Sequence, residues 1–129
     1  MSGKILLDTN IIIALFAGED SIKERLAIAE EVFIASTVLG ELYYGAYKSH
    51  QERENLLRID ELAERSAILG CDRDTARQYG FIKNILRKQG RPIPENDLWI
   101  AACAQQYDLV LVTRDDHFKA ITGLKLEMW

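Results

Sequence analysis

The run Lys4-Ile5-Leu6-Leu7 passes without a break into Asp8-Thr9-Asn10 and then into Ile11-Ile12-Ile13-Ala14-Leu15-Phe16. A carboxylate is thus enclosed by apolar sequence on both sides, and it is the only charge between Lys4 and Glu19. Such a charge is costly to bury unless it is hydrogen-bonded, paired or bound to a cation. The reading that fits is a buried strand over residues 4–8, ending at the mouth of a parallel sheet where Asp8 helps to hold a metal ion.

The same short apolar runs recur down the chain. Val32 to Ala35 is a second strand, Ala67 to Cys71 a third, and Leu109-Val110-Leu111-Val112 a fourth. This last run is the continuous, β-branched-rich type that is buried on both faces of a parallel sheet. A final strand runs from about Leu124 to Met128. Helical patterns lie between them. Asn10 to about Gly18 suits a short helix, with Thr9 or Asn10 as N-cap and Gly18 as terminator. Ser21 and Glu24 have capping-box spacing, and Ile22, Leu26 and Ala29 share one face of the helix that follows. Ser36-Thr37 reads as the N-cap of a helix from about Val38 to Tyr47, in which Glu41 is the sole charge. Lys48 to Arg65 is amphipathic, with a stripe of Leu56, Leu57, Ile59, Leu62 and Ala63. Asp72 or Asp74 can cap a helix from about Thr75 to Gln89, whose inner face is Ala76, Tyr79, Ile82, Ile85 and Leu86. Gly90, Pro92 and Pro94 enforce a loop. Glu95-Asn96-Asp97 then opens a strongly apolar helix.

Short apolar strands alternating with helices predict an α/β sandwich with a mainly parallel sheet. A chain of 129 residues without linker or repeat predicts one domain, 1–129. Its formal net charge of −4 offers no bulk attraction for nucleic acid. Any such contact needs a metal or a local basic patch, for which Lys83, Arg87, Lys88, Arg91 and Arg114 are candidates beside the plainer reading of solvated surface. Cys71 and Cys103 are far apart in apolar contexts and read as reduced core thiols, which suits the cytoplasm. No signal peptide is visible, and Ile11 to Ala17 falls short of the roughly 20 apolar residues that span a bilayer. Tyr43, Tyr44, Tyr47, Trp99 and Phe118 read as packing groups rather than base-stacking groups.

In open α/β sheets, ligands bind beyond the carboxyl ends of the strands. Asp8 ends the first strand, Thr113 and Asp115 follow the fourth, and Glu41 lies on the helix after the second. Asp97 joins them if the first turn of its helix packs near that rim. Four carboxylates in one cleft repel, and a divalent cation removes the repulsion. All-oxygen ligands suit Mg²⁺ or Mn²⁺ rather than zinc. His50 and His117 are isolated in the sequence, His50 reading as surface and His117 as a loop-stabilising residue, with contact to substrate as its alternative.

Taken in order, Leu7-Asp8-Thr9-Asn10, Gly40-Glu41-Leu42-Tyr43-Tyr44-Gly45, Asn96-Asp97-Leu98-Trp99-Ile100-Ala101-Ala102 and Leu111-Val112-Thr113-Arg114-Asp115 resemble the PIN-domain ribonucleases, and most closely the VapC-type toxins of prokaryotic toxin–antitoxin pairs. The resemblance spans nearly the whole chain. It implies a PIN-like three-layer sandwich with a five-stranded sheet of order 3-2-1-4-5. It also implies Mg²⁺-dependent endoribonuclease activity on RNA, with Mn²⁺ as a possible substitute, a VapB-like antitoxin and a homodimer. It maps the acids onto Asp8, Glu41, Asp97 and Asp115, with Thr9, Asn10 and Thr113 in support. Asp116 is the alternative fourth acid. Two rivals are weighed: an aspartyl-phosphate phosphotransfer enzyme and a non-catalytic interaction module. The first lacks a second carboxylate two residues after Asp8 and a well-placed strand-end lysine. The second leaves four acids without a purpose. The apolar face of the first helices, with Ile12, Leu15, Phe16 and the region near Tyr47, is a candidate antitoxin surface.

Overall fold

The computed structural model describes residues 3–129. Its centre is β1 (Lys4–Leu7), whose Ile5, Leu6 and Leu7 are buried. The chain continues through α1 (Thr9–Phe16), α2 (Asp20–Ala27), β2 (Glu31–Ala35), α3 (Ser36–Tyr47), α4 (Glu52–Glu64) and β3 (Ala67–Leu69). It then forms α5 (Arg73–Lys88), α6 (Glu95–Gln106), β4 (Val110–Thr113), a 3₁₀ turn (Asp116–Ala120) and β5 (Leu126–Met128). The sheet order is β3-β2-β1-β4-β5, as the resemblance implies. Every strand pair is parallel, so the sheet is wholly rather than mainly parallel.

This order fixes where a ligand can bind. The chain grows from β1 outward to β2 and β3, then crosses back to place β4 on the other side of β1. The β1–β4 seam is therefore the topological switch point, and a crevice opens at its carboxyl end. In that seam Leu7 stands opposite Val112, and the Asp8 amide donates to the Val112 carbonyl at 3.0 Å. Asp8 and Thr113 thus emerge side by side. Parallel neighbours need a crossover. Between β4 and β5 it is residues 114–125, built around the 3₁₀ turn instead of an α-helix. Phe118, fully buried, fastens that turn to the core.

Several local expectations shift, each for a physical reason. The N-cap of α1 is Asp8 rather than Thr9 or Asn10, because β1 runs into the helix without a loop. Gly18 does end α1: its φ of +85°, open to glycine without strain, lets the Gly18 and Glu19 amides turn back to Leu15 and Ala14. The Ser21–Glu24 capping box is absent, since α2 already begins at Asp20 and Ser21 lies inside its first turn. Ala35, not Ser36 or Thr37, sits at the N-cap of α3, because β2 also passes directly into its helix. The Thr37 hydroxyl is left buried without a hydrogen-bond partner among the described residues. Lys48 to Gln51 form a turn ahead of α4, and Leu57 is exposed, off the stripe. Asp72 is the cap of α5, in a reciprocal box with Thr75. Thr75 rather than Ala76 faces inward there. Cys103 is buried, and burial pushes its thiol up to about 12, but Cys71 is exposed at the end of β3. Among the described residues no helix is long and apolar enough to cross a membrane.

Candidate active site

Asp8 holds the site together while being expensive to bury. It is only 4% exposed. Its Oδ1 accepts from the Thr9 amide at 2.8 Å, and its Oδ2 accepts from the Thr113 hydroxyl at 2.7 Å and Asn10 Nδ2 at 3.2 Å. A carboxylate offers about four lone-pair sites, so one on Oδ1 stays open. Burial raises the Asp8 pKa, the hydrogen bonds from Thr113 and Thr9 oppose the rise, and Glu41 and Asp115 add to it as nearby like charges.

Thr113 and Asn10 form the frame around it. The Thr113 hydroxyl donates to Asp8 and accepts from Asn10 Nδ2 at 3.2 Å and from the Asp115 amide at 3.0 Å, which uses its full capacity. Asn10 Oδ1 accepts from the Arg114 amide at 3.2 Å. The start of α1 and the end of β4 are thereby laced together beneath the acids.

The other carboxylates arrive from three elements. Glu41 projects from α3, where Thr9 Oγ1 donates to it at 3.3 Å and Asn96 Nδ2 at 3.1 Å. Asn96 belongs to the first turn of α6, so this bond joins α3 to the helix that carries Asp97. Asp97 is 7% exposed, yet its carboxylate accepts no hydrogen bond from any described residue. Burial pushes its pKa up to about 6, and the charges of Asp8 and Asp115 push the same way. Asp115 caps the 3₁₀ turn by accepting from the His117 amide at 2.9 Å. Glu41 and Asp115 thus lie close enough to Asp8 and Asp97 for their charges to raise the pKa of both. Asp116 points elsewhere, with a 78% exposed side chain paired to Lys119 at 3.0 Å.

Two residues of this cluster escape a reading of the sequence. Asn96 had no signal beyond lying beside Asp97. His117 is not isolated: its Nδ1 lies 3.0 Å from Asp115 Oδ1 and 3.8 Å from Asp97 Oδ2. Ligand atoms of Asp97, Asp115 and His117 all fall within 4.8 Å of one another, a donor set able to surround one cation. The only sequence clue was the two-residue step from Asp115.

The candidate basic patch is thinner than the sequence suggests. Arg114 is committed to a forked pair with Glu19, at 2.7 and 3.0 Å, and to the Trp129 carbonyl. Lys83 pairs with Glu95 at 2.6 Å. Arg87, Lys88 and Arg91 stay exposed. Of the aromatics, Phe118 is core, Trp99 stacks on Tyr79 with ring centres 4.0 Å apart, and the Tyr43 hydroxyl donates to Asp60. Tyr44 and Tyr47 are exposed rather than packed.

The chain's likeness to known proteins agrees with this geometry. The PIN-domain family matches residues 5–124. Ribonuclease VapC2 of Haemophilus influenzae is 35% identical over 129 residues, with 98% of each chain covered. The tRNA(fMet)-specific endonuclease VapC of Shigella flexneri is 36% identical, again over 98% of each. The structure of VapBC2 from Rickettsia felis, bound to a DNA fragment from its promoter, superposes with a TM-score of 0.92 at 33% identity, covering 98% of both chains. With the fold, the order of its motifs and these relatives in agreement, the chain belongs to the PIN-domain family, in its VapC branch.

Proposed function

We propose that this chain, acting as one PIN domain over residues 1–129, is a Mg²⁺-dependent endoribonuclease and the toxin of a VapBC-type pair in the cytoplasm. The observation that carries the metal reading is Asp97: a buried carboxylate with no hydrogen-bond donor, facing Asp115 and near Asp8. A site so loaded with negative charge repels an RNA phosphate unless a cation is present. The donor set fits a divalent ion. Asp8, Glu41, Asp97 and Asp115 would hold it, directly or through water, with Mn²⁺ as a possible substitute for Mg²⁺. When bound, such an ion lowers the pKa of a coordinated water and offsets charge on the phosphoryl oxygens.

The chain's own residues supply order. Thr113, Asn10 and the Thr9 amide hold Asp8 in one orientation and leave a lone pair of Oδ1 free. Asn96 and Thr9 hold Glu41, so that α3 and α6 keep a fixed separation across the cleft. Arg87, Lys88 and Arg91 provide exposed charge for the RNA backbone, at the cost of salt sensitivity. The support for RNA as substrate is the likeness to relatives named ribonuclease and endonuclease. In an RNA cleavage assay with Mg²⁺, Asp8→Asn should lose more than about 100-fold in rate, as expected for removing a cation ligand. Cleavage at the parental rate would overturn the mechanism.

The antitoxin surface shifts by one residue from the sequence reading, because Ile12 is fully buried and Ile13 is 57% exposed. A groove of about 210 Å³ runs between α1, α3 and α4, lined by Ile13, Phe16, Glu41, Gly45 and Arg58 among others. We assign the VapB-like antitoxin to this groove, on the strength of relatives solved as VapBC complexes. Ile13→Glu should abolish co-purification with the cognate antitoxin while leaving the fold intact. A homodimer completes the proposal, and light scattering on the isolated chain tests it.

A further inference from the structure

We propose that His117 is a nitrogen ligand of the cation held at Asp97 and Asp115, and that it biases the site toward first-row transition metals over Mg²⁺. This rests on the metal-site reading above and adds the selectivity of that site.

His117 Nδ1 lies 3.0 and 3.1 Å from the two Asp115 oxygens and 3.8 Å from Asp97 Oδ2. Ligands bonded at about 2.1 Å stand roughly 3.0 Å apart at adjacent corners of an octahedron and roughly 3.4 Å apart in a tetrahedron. The two His117 separations span those edges, and the ligand atoms of all three groups lie within 4.8 Å of one another, so side-chain adjustments would let them share one ion.

The placement is built into the backbone. Phe118, the next residue, is fully buried, and the Asp115 amide is tied to Thr113 at 3.0 Å. The His117 amide already caps the turn by donating to Asp115 Oδ1. The imidazole is therefore not needed to form the turn. It is directed at the carboxylate pair, beside Asp97, which alone of the four site acids accepts no hydrogen bond from any described residue.

The consequence follows from ligand chemistry. Mg²⁺ is hard, prefers oxygen and keeps its waters, so it gains little from an imidazole. Affinity of a nitrogen-containing site rises from Mn²⁺ through Fe²⁺ to Co²⁺ and Ni²⁺. One imidazole beside carboxylates should therefore widen the gap between Co²⁺ and Mg²⁺ relative to an all-oxygen site.

The test uses the full chain, freed of metal by chelation, and calorimetric titration with Co²⁺ and separately with Mg²⁺. Its 56% exposed side chain makes His117→Ala a variant that should fold, which circular dichroism checks. We expect His117→Ala to weaken Co²⁺ binding about tenfold or more and Mg²⁺ binding less than about twofold. Proton NMR of the Co²⁺-loaded parent should show a strongly shifted exchangeable imidazole N–H, absent from His117→Ala. Unchanged Co²⁺ affinity, equal weakening of both ions, or a shifted N–H that survives in the variant would overturn the role of His117. Loss of both ions in Asp97→Asn alongside any of those results leaves the metal site standing without His117. If the parent binds neither ion, or Asp97→Asn binds like the parent, the metal site itself is wrong and this proposal falls with it.

Discussion

Thr113 shows how much of the site depends on one hydroxyl. It is fully buried, and it orients Asp8, anchors Asn10 and receives the Asp115 amide. Valine keeps its shape and removes all three interactions, leaving buried polar groups unpaired at about 1–3 kcal/mol. Thr113→Val should therefore lower the unfolding free energy by that amount in denaturant titrations, and weaken Mg²⁺ about tenfold by calorimetry. Asp97 gives the opposite sign. Its pKa is about 6 in the folded chain against 3.8 ordinarily, so the folded state binds more protons between those values. Stability is thus greatest below about pH 4 as far as this group is concerned, and it falls as pH rises toward about 6. At about 1.4 kcal/mol per unit, the loss is on the order of 2–3 kcal/mol. In chelator at pH 7.5, Asp97→Asn should melt several degrees above the parent and show a flatter decline between pH 4 and 6. Added Mg²⁺ should stabilise the parent and not the variant. A variant no more stable than the parent in chelator would contradict the electrostatic account.

At the scale of elements, the strands and the acids were legible for one reason. Short apolar runs mark buried parallel strands, and a lone charge at the end of such a run stands out. Asp8 and Glu41 could be singled out by their apolar neighbours, Asp97 joined them only on the condition that its helix start packs near the rim, and the sheet order came from the family resemblance. What failed was junction chemistry. β1 enters α1 at Asp8 and β2 enters α3 at Ala35 without a loop, so capping rules that assume a linker pointed one or two residues too late. Asp72, one of the two caps the sequence offered for α5, does cap it, whereas α2 begins at Asp20 and so leaves Ser21 inside the helix instead of at its cap. The place of His117 among the acids was unreadable because its 3₁₀ turn has no repeating pattern, and proximity to Asp97 is a tertiary fact. Asp72→Ala should cost about 1 kcal/mol in thermal denaturation, through loss of the α5 cap, without changing cation affinity. Phe118→Ala should cost about 3–5 kcal/mol and weaken cation binding as well, because Phe118 holds the turn that carries Asp115 and His117.

For the whole molecule, topology and charge answer to the same constraint. The switch point between β1 and β4 gathers side chains from the head of α1, from α3, from α6 and from the β4–β5 crossover into one crevice, and each of these contributes one acid: Asp8, Glu41, Asp97 and Asp115. In a chain already carrying net negative charge, that crevice is unfavourable to RNA until a cation enters it. The most direct test is the rate of RNA cleavage by the purified chain as Mg²⁺ is titrated from zero, run in parallel for Asp97→Asn. Cleavage that is absent in chelator, rises to saturation with Mg²⁺ and falls more than about 100-fold in Asp97→Asn is the predicted result. Cleavage by the parent that persists in chelator, or that Asp97→Asn matches at any Mg²⁺ concentration, would contradict it.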